Sequence, residues 1–383
     1  MMATQNHSPH QHWDCIIIGA GAAGMMCAAT AGYGGASVLI LDHAPKAGSK
    51  IRISGGGKAN FTNLNIHPEH YICHNPHFVK SALSRYNPFD FIALVERHGI
   101  AYETREKGKL FCKHRASDLI QMLRTECDWA GVQFQLNTPV LQVKINPQDD
   151  SQGYLLQTQR GDFTCQKLVI ATGGLSFPKL KATGFGYQIA QQFGIPVRPQ
   201  RPGLVPLILQ GSWAEHCQQL AGMSLEVSIQ IANHTFTDAL LFTHQGISGP
   251  AILQASNYWQ KGEPLTINLL PQTAVLTELK QLKAQNGNLK TWLSQFWPKR
   301  FVETWLSQTK LTIPKLAEAK DAQLNSLAQH LTQWQLFPKD TAGYHKAEVT
   351  LGGVETDAIS SKTFEAKQQP NLYFIGEVLD VTG

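Results

Sequence analysis

Three glycines, Gly19, Gly21 and Gly24, stand at the spacing G-x-G-x-x-G, and Asp42 follows the first by 23 positions. Glycine at the first place permits a tight turn. At the second it lets backbone approach a pyrophosphate, and at the third it lets a helix close on a strand. An aspartate at that distance can accept hydrogen bonds from both hydroxyls of an adenosine ribose. The chemistry implied is capture of an adenine dinucleotide, with Gly19, Ala20, Gly21, Ala22, Ala23, Gly24, Asp42 and His43 as candidate ligands.

Such a site needs particular elements around it. A β-branched run, Cys15–Ile18, precedes the fingerprint, an Ala- and Met-rich helix from Ala22 to Ala31 opens within it, and a second strand, Val38–Leu41, delivers Asp42. The orphan N–H groups and positive dipole end of the helix then face the phosphates. Residues 15–41 carry no charge and exceed the length of a membrane span. Their glycines and β-branched ends instead read as strand, turn, helix, turn and strand buried in a parallel sheet.

Two further strands end in small residues: Lys167–Gly174 (KLVIATGG) and Leu372–Glu377 (LYFIGE). Small strand ends let backbone close around a second pass of a long cofactor, which favours FAD over a nicotinamide alone. Ala171, Thr172, Gly173 and Gly174 join the candidates, with Gly376 and Glu377. The segment GSKIRISGGGKANFTN, residues 48–63, lies where a loop must cross that cofactor. Gly55, Gly56 and Gly57 permit positive φ and close approach. Asn60, Thr62 and Asn63 offer polar groups, and Lys50, Arg52 and Lys58 offer charge. Lys58 is also a catalytic candidate.

The order IIIGAGAAG, ISGGGKANFTN, VIATGG, LLFTHQGISGPAIL, KAEVTLGGVETDAISSKTFEAK and LYFIGEVLDVTG resembles one group of bacterial flavoproteins. It is similar to the aminoacetone-oxidase-like FAD-binding enzymes and the bile-acid dehydro-reductase-like NAD(P)/FAD-dependent oxidoreductases. The resemblance runs from about residue 13 to the end. It implies an α/β fold: a Rossmann-like FAD-binding domain of the two-dinucleotide-binding type, interrupted by an inserted β-rich plus helical domain. It places terminal cofactor contacts on Gly376, Glu377 and Asp380. Members of the group read G-G-G-R-C-N where Lys58 and Ala59 stand here. They also continue past Thr-Gly into a glycine-rich loop and a last helix. From that comparison, this 383-residue chain is expected to bind FAD weakly or not at all and to expose an apolar groove.

The expected domains are 1–200 with 341–383 for the cofactor, and 201–340 for the insert. Prolines in Arg198–Pro202 (RPQRP) suggest a linker. Short β-branched runs from Leu204 to Leu270 predict a small antiparallel sheet or barrel, so 201–271 reads as β-rich. Residues 272–340 read as a helical cap with Trp292, Trp297, Trp305 and Trp334 as core anchors. In FTHQGISGP, His244 is a candidate proton donor and Ser248 a helix cap. Before it, Thr183-Gly-x-Gly186 opens another helix, to about Phe193. His345 and Lys346 read as structural. No metal-ligand spacing stands out.

A net charge of +5 without a basic run suits a small anionic ligand as well as nucleic acid. Seven scattered cysteines, with no C-x-x-C, read as reduced thiols and place the chain in the cytoplasm. The polar N-terminal residues, with His7, His10 and His12, read as a frayed arm rather than a metal site or a signal peptide. A second dinucleotide fingerprint is missing, so NAD(P)H is expected to dock transiently as electron donor. The expected reaction is hydride transfer through flavin N5 to an unsaturated small-molecule substrate or oxygen, with the protein supplying orientation and charge. No nucleic-acid or membrane partner is expected, and oligomeric state is left open. The alternatives are a flavin-fold protein without catalysis and a flavin-dependent RNA-modifying protein, which would need a basic face with exposed aromatics on the insert.

Overall fold

The structure, a computed structural model, describes residues 11–147, 152–309 and 316–383. It divides into two compact units, Met1–Arg201 with Thr350–Gly383, and Pro202–Val349. His7 and His10 lie outside the described residues. His12 departs from the frayed arm: it sits in the first strand, with Nδ1 3.2 Å from Thr164 Oγ1.

The first unit opens with β1 (Gln11–Ile18), α1 (Ala22–Tyr33), β2 (Val38–Leu41), α2 (Ser49–Ile53) and β3 (Asn60–Asn63). It continues through α3 (Lys80–Arg85), α4 (Pro88–Arg97), β4 (Tyr102–Thr104), β5 (Lys109–Cys112), α5 (Ser117–Trp129) and β6 (Gln133–Gln135). Then come β7 (Val140–Ile145), β8 (Tyr154–Thr158), β9 (Gly161–Ile170), α6 (Phe185–Gln192) and β10 (Val197–Gly203). β10 contains the prolines read as a linker. Proline is tolerated where a strand's N–H has no ladder partner, as in a two-stranded ribbon.

The second unit holds β11 (Leu207–Ile208), α7 (Ser212–Leu220), β12 (Ser224–Ile231), β13 (His234–Phe242), β14 (Gly246–Ser248), α8 (Pro250–Ser256) and β15 (Leu265–Asn268). After these follow α9 (Val275–Ala284), α10 (Leu289–Leu293), α11 (Lys299–Gln308), α12 (Asp321–Thr332), β16 (Trp334–Leu336) and β17 (Asp340–Thr341). Its sheet runs β16-β15-β12-β13-β14-β11-β17, with antiparallel pairs throughout. Pairing of β17 with β11 keeps Asp340 and Thr341 in this unit, so the chain crosses back only at Val349 and Thr350. Trp292, Trp297, Trp305 and Trp334 are all buried in its core, at most 6% exposed. Ser248 departs from its expected capping role: it lies in β14, and α8 starts from Gly249 without a side-chain cap.

Back in the first unit, β18 (Val349–Val354) pairs with β10, and β19 (Leu372–Phe374) completes the main sheet. That sheet runs β6-β2-β1-β9-β8-β7, with β19 alongside β9. β6, β2, β1, β9 and β19 are parallel, whereas β7, β8 and β9 pair antiparallel. Alternate residues of each strand serve opposite cores. Ile16, Ile18, Leu168 and Ile170 pack on one side, while Cys15, Ile17, Ile40 and Val169 pack on the other. Burial on both faces explains the uncharged run, each full Ile or Leu contributing about 1.5–3 kcal/mol. Among the described residues no helix is long and apolar enough to cross a membrane. All seven cysteines there are thiols. The architecture is thus Rossmann-like α/β with an inserted β-rich and helical unit.

Candidate functional site

The carboxyl ends of β1, β2, β9 and β19 converge on one edge of the main sheet. Gly19 has φ +117°, and a Cβ built there would lie 2.3 Å from the Ala171 carbonyl oxygen. One on Gly24 would lie 1.9 Å from the Gly19 oxygen. Packing of α1 against the sheet therefore requires both glycines. Gly21 differs, because its φ is −83° and a Cβ would meet nothing within 4 Å. No protein atom demands glycine there, and the space beside it is open. The opening amides of α1 have no side-chain cap and no acidic neighbour in the first turn. Ala20, Ala22 and Ala23 add no bulk to this cradle.

Asp42, at the end of β2, is pinned by backbone. Its Oδ2 accepts from the Ala20 N–H and its Oδ1 from the Ala44 N–H, both at 2.7 Å. Each oxygen keeps a further lone pair. His43 turns elsewhere, its Nε2 donating to the Lys181 carbonyl at 2.7 Å.

The glycine loop follows α2. Gly55, Gly56 and Gly57 have φ of +54°, +66° and +84°, so the chain bends where a side chain would be strained. A Cβ on Gly55 would meet the Phe111 ring at 2.8 Å, whereas Gly56 and Gly57 face open space. The loop is bound to its neighbours: Ala116 N–H donates to the Gly57 oxygen at 2.7 Å, and Cys112 N–H to the Lys58 oxygen at 2.9 Å. Lys58 Nζ lies 3.8 Å from Glu103. The polar residues beyond it serve β3 locally. The Asn60 amide faces the Leu110 and Thr62 carbonyls at 3.1 and 3.0 Å, and Asn63 Oδ1 accepts from the Asn65 N–H at 2.8 Å. Thr62 stands between them in β3, half-buried.

A second network ties four segments together. Lys50 Nζ lies 2.5 Å from Glu377 Oε2 and donates to Ser176 Oγ at 2.8 Å. Glu377 Oε1 accepts from the Thr350 N–H at 2.9 Å. Thr350 Oγ1 accepts from the amides of Leu175 and Ser176 at 2.8 and 3.1 Å. A Cβ on Gly174 would strike that hydroxyl at 2.5 Å, and one on Gly376 would sit 2.8 Å from Ala23 Cβ. Gly173, at φ +73°, faces open space. Thr172 Oγ1 is buried without a partner. Ser176 and Thr350 escaped the sequence reading because their partners lie far off in the chain, Lys50 126 positions from Ser176 and the Leu175 amide 175 positions from Thr350.

Asp380 sits apart in its own cluster. Its Oδ2 accepts from the His74 N–H at 3.1 Å and lies 3.7 Å from Arg198 Nε, which itself lies 2.6 Å from Glu355. Burial pushes the Asp380 carboxyl up, outweighing the pull of the His74 amide and Arg198. Among the described residues, His74, Glu355 and Asp357 hold potential ligand atoms within 4.8 Å of one another. Arg198 engages Glu355, and Asn75 Nδ2 donates to Asp357 at 2.8 Å. His244 belongs to the second unit, exposed in the turn between β13 and β14, where Thr243 N–H donates to the Gly246 oxygen at 2.8 Å. His345 and Lys346 are exposed there too.

The cradle fits an elongated dinucleotide. Gly21, Gly56, Gly57 and Gly173 all face open space, and Asp42 keeps acceptor capacity at the end of β2.

Residues 13–383 match the HI0933-like protein Rossmann domain, and the chain belongs to that family. It is 47% identical over 376 residues to the ribosomal RNA dihydrouridine synthase of Haemophilus influenzae, covering 97% of this chain and 94% of that protein. The Escherichia coli protein of the same name is also 47% identical, with 97% and 93% covered. A 3-dehydro-bile acid delta(4,6)-reductase of Clostridium scindens is 25% identical, with 96% and 93% covered.

Proposed function

We propose that this member of the HI0933-like family is an FAD-dependent reductase that saturates a carbon–carbon double bond conjugated to a carbonyl, and that its substrate is a uridine in ribosomal RNA. The observation that carries the cofactor reading is Gly21, where a Cβ would meet nothing within 4 Å at the start of an uncapped helix. Support for the substrate comes from the two relatives at 47% identity.

In this reading the amides of Ala22, Ala23 and Gly24 take the pyrophosphate, the α1 dipole adding about 0.3–1 kcal/mol. Asp42 takes the ribose hydroxyls. Gly55 to Gly57 and Gly173 give close backbone approach on the flavin side. Glu377 acts by fixing Lys50 and Thr350 rather than as a free acid. Bound there and kept reduced by NAD(P)H, FAD would supply hydride to one alkene carbon, and the other carbon would take a proton. Lys58 follows the glycine loop directly and carries protons to give.

A second reading keeps the same chemistry on a small conjugated ketone. It is supported by the bile-acid reductase relative at 25% identity.

Purified chain, scanned for the flavin band and mixed anaerobically with NADH or NADPH, tests the cofactor. With FAD added in excess, bleaching of the yellow band is expected. Flavin-free protein that also takes up no added FAD would return the chain to the weak-binding expectation. Incubation with unmodified ribosomal RNA, followed by nucleoside mass analysis, is expected to give a product two mass units heavier than uridine. Turnover of an enone with untouched RNA would select the second reading.

A further inference from the structure

Five Lys or Arg stand against two Glu between Glu103 and Arg115, in a chain whose net charge is +5. These thirteen residues of the first unit thus carry a net +3, whereas the whole of 202–349 carries +1. Strand geometry sorts these side chains. In β5, Leu110 and Cys112 are buried, so Lys109, Phe111 and Lys113 take the opposite face. Glu103 in β4 is registered with Phe111, which puts Glu103 and Arg105 on that face too.

The charges converge. Arg105 lies 2.6 Å from Glu103, with its guanidinium 4.1 Å from the Phe111 ring centroid, and Lys58 reaches the same carboxylate at 3.8 Å. The hydrogen bond from Arg105 lowers the Glu103 carboxyl, and the charges of Lys58 and Lys113 act with it. One carboxylate is thus surrounded by three cations. The face also abuts the glycine loop, because Gly55 lies against Phe111 and Lys58 ends the loop.

We infer that the outer face of β4 and β5, with Arg105, Lys109 and Lys113 around Phe111, binds phosphates of the RNA backbone flanking the reduced uridine. This rests on the function proposed above. A small conjugated ketone has no use for several cations beside the loop, whereas a polynucleotide presents a phosphate at each step.

The test compares wild type with Lys109→Gln/Lys113→Gln, both loaded with FAD. Binding to an unmodified ribosomal RNA fragment is measured across a salt series, and flavin reduction by NAD(P)H is measured without RNA. The double variant is expected to bind about fivefold or more weakly. Its log K against log salt slope should be shallower by about 1.4, the release from two phosphate contacts on single-stranded RNA. Flavin reduction should be unchanged, and Lys109→Arg/Lys113→Arg should restore binding. Equal affinity and equal slope in the glutamine variant, while wild type still acts on RNA, would overturn the inference alone. A wild type that neither binds nor reduces the RNA would overturn the proposed function and this inference with it.

Discussion

The Lys50 ammonium lies 2.5 Å from Glu377 Oε2, joining residues 327 positions apart in the chain. The contact links α2, which follows Asp42, to the turn after β19. Lys50 is 40% and Glu377 23% exposed, so the ion pair itself is worth at most about 1 kcal/mol. The greater role of Glu377 is as acceptor for the buried Thr350 amide.

Glu377→Ala strands that amide and is expected to lower stability by about 1–3 kcal/mol. Glu377→Gln keeps an acceptor and should cost less, and Lys50→Met should cost about 1 kcal/mol or less. Urea midpoints of the three variants check the order. A Lys50→Met loss as large as that of Glu377→Ala would mean that the ion pair, not the amide, dominates.

Asp42→Ala removes the acceptor of two backbone amides, Ala20 and Ala44. Loss of about 1–3 kcal/mol of stability is expected, with FAD affinity falling tenfold or more. Asp42→Asn keeps one acceptor oxygen and should recover part of the stability but little of the affinity. Flavin fluorescence titration beside chemical unfolding separates the two effects.

Much of the cradle was legible because it depends on local constraints. Gly19, Gly24 and Asp42 are spaced by strand and helix geometry, and the structure gives each a reason within the fold. The partners of Lys50 and Glu377 were not legible. Ser176 and Thr350 reach them only through the crossing of β9, β18 and β19, which leaves no local signature. Asn60 and Asn63 look free in a sequence, yet backbone carbonyls and amides of the β3 hairpin claim their side chains. Arg198–Pro202 misleads for a related reason, since two prolines disfavour a ladder but fit a two-stranded ribbon. The basic face of β4 and β5 was missed because acids at Glu103 and Glu106 interrupt the run. Strand alternation, once seen, collects the cations on one side.

Asp380 carries the pH dependence. Burial raises its carboxyl above the ordinary 3.8, so the folded chain holds the proton more tightly than the unfolded chain does. Ionisation therefore costs stability, and that cost appears as pH rises above 3.8 and through the folded value. Asp380→Asn keeps an acceptor for the His74 amide and never ionises. It should gain on wild type between pH 4 and pH 7 in urea unfolding. A gap that shrinks over the same range would show Arg198 to be the stronger influence on this carboxyl.

Gly21 and Gly24 give the sharpest contrast, because both belong to the fingerprint but answer to different neighbours. A methyl on Gly24 would sit 1.9 Å from a backbone oxygen that cannot move without disturbing β1. Gly24→Ala is expected to destabilise the chain on the order of 1–3 kcal/mol or more, with or without cofactor. A methyl on Gly21 would meet nothing within 4 Å, at a φ of −83° that any residue adopts. Gly21→Ala should leave the apoprotein within about 0.5 kcal/mol of wild type. Its FAD affinity should nonetheless fall tenfold or more, since the methyl enters the space assigned to the pyrophosphate. Thermal unfolding without FAD and titration with it measure the two quantities separately. Unchanged affinity in Gly21→Ala would remove the pyrophosphate from this turn, and the cofactor reading with it.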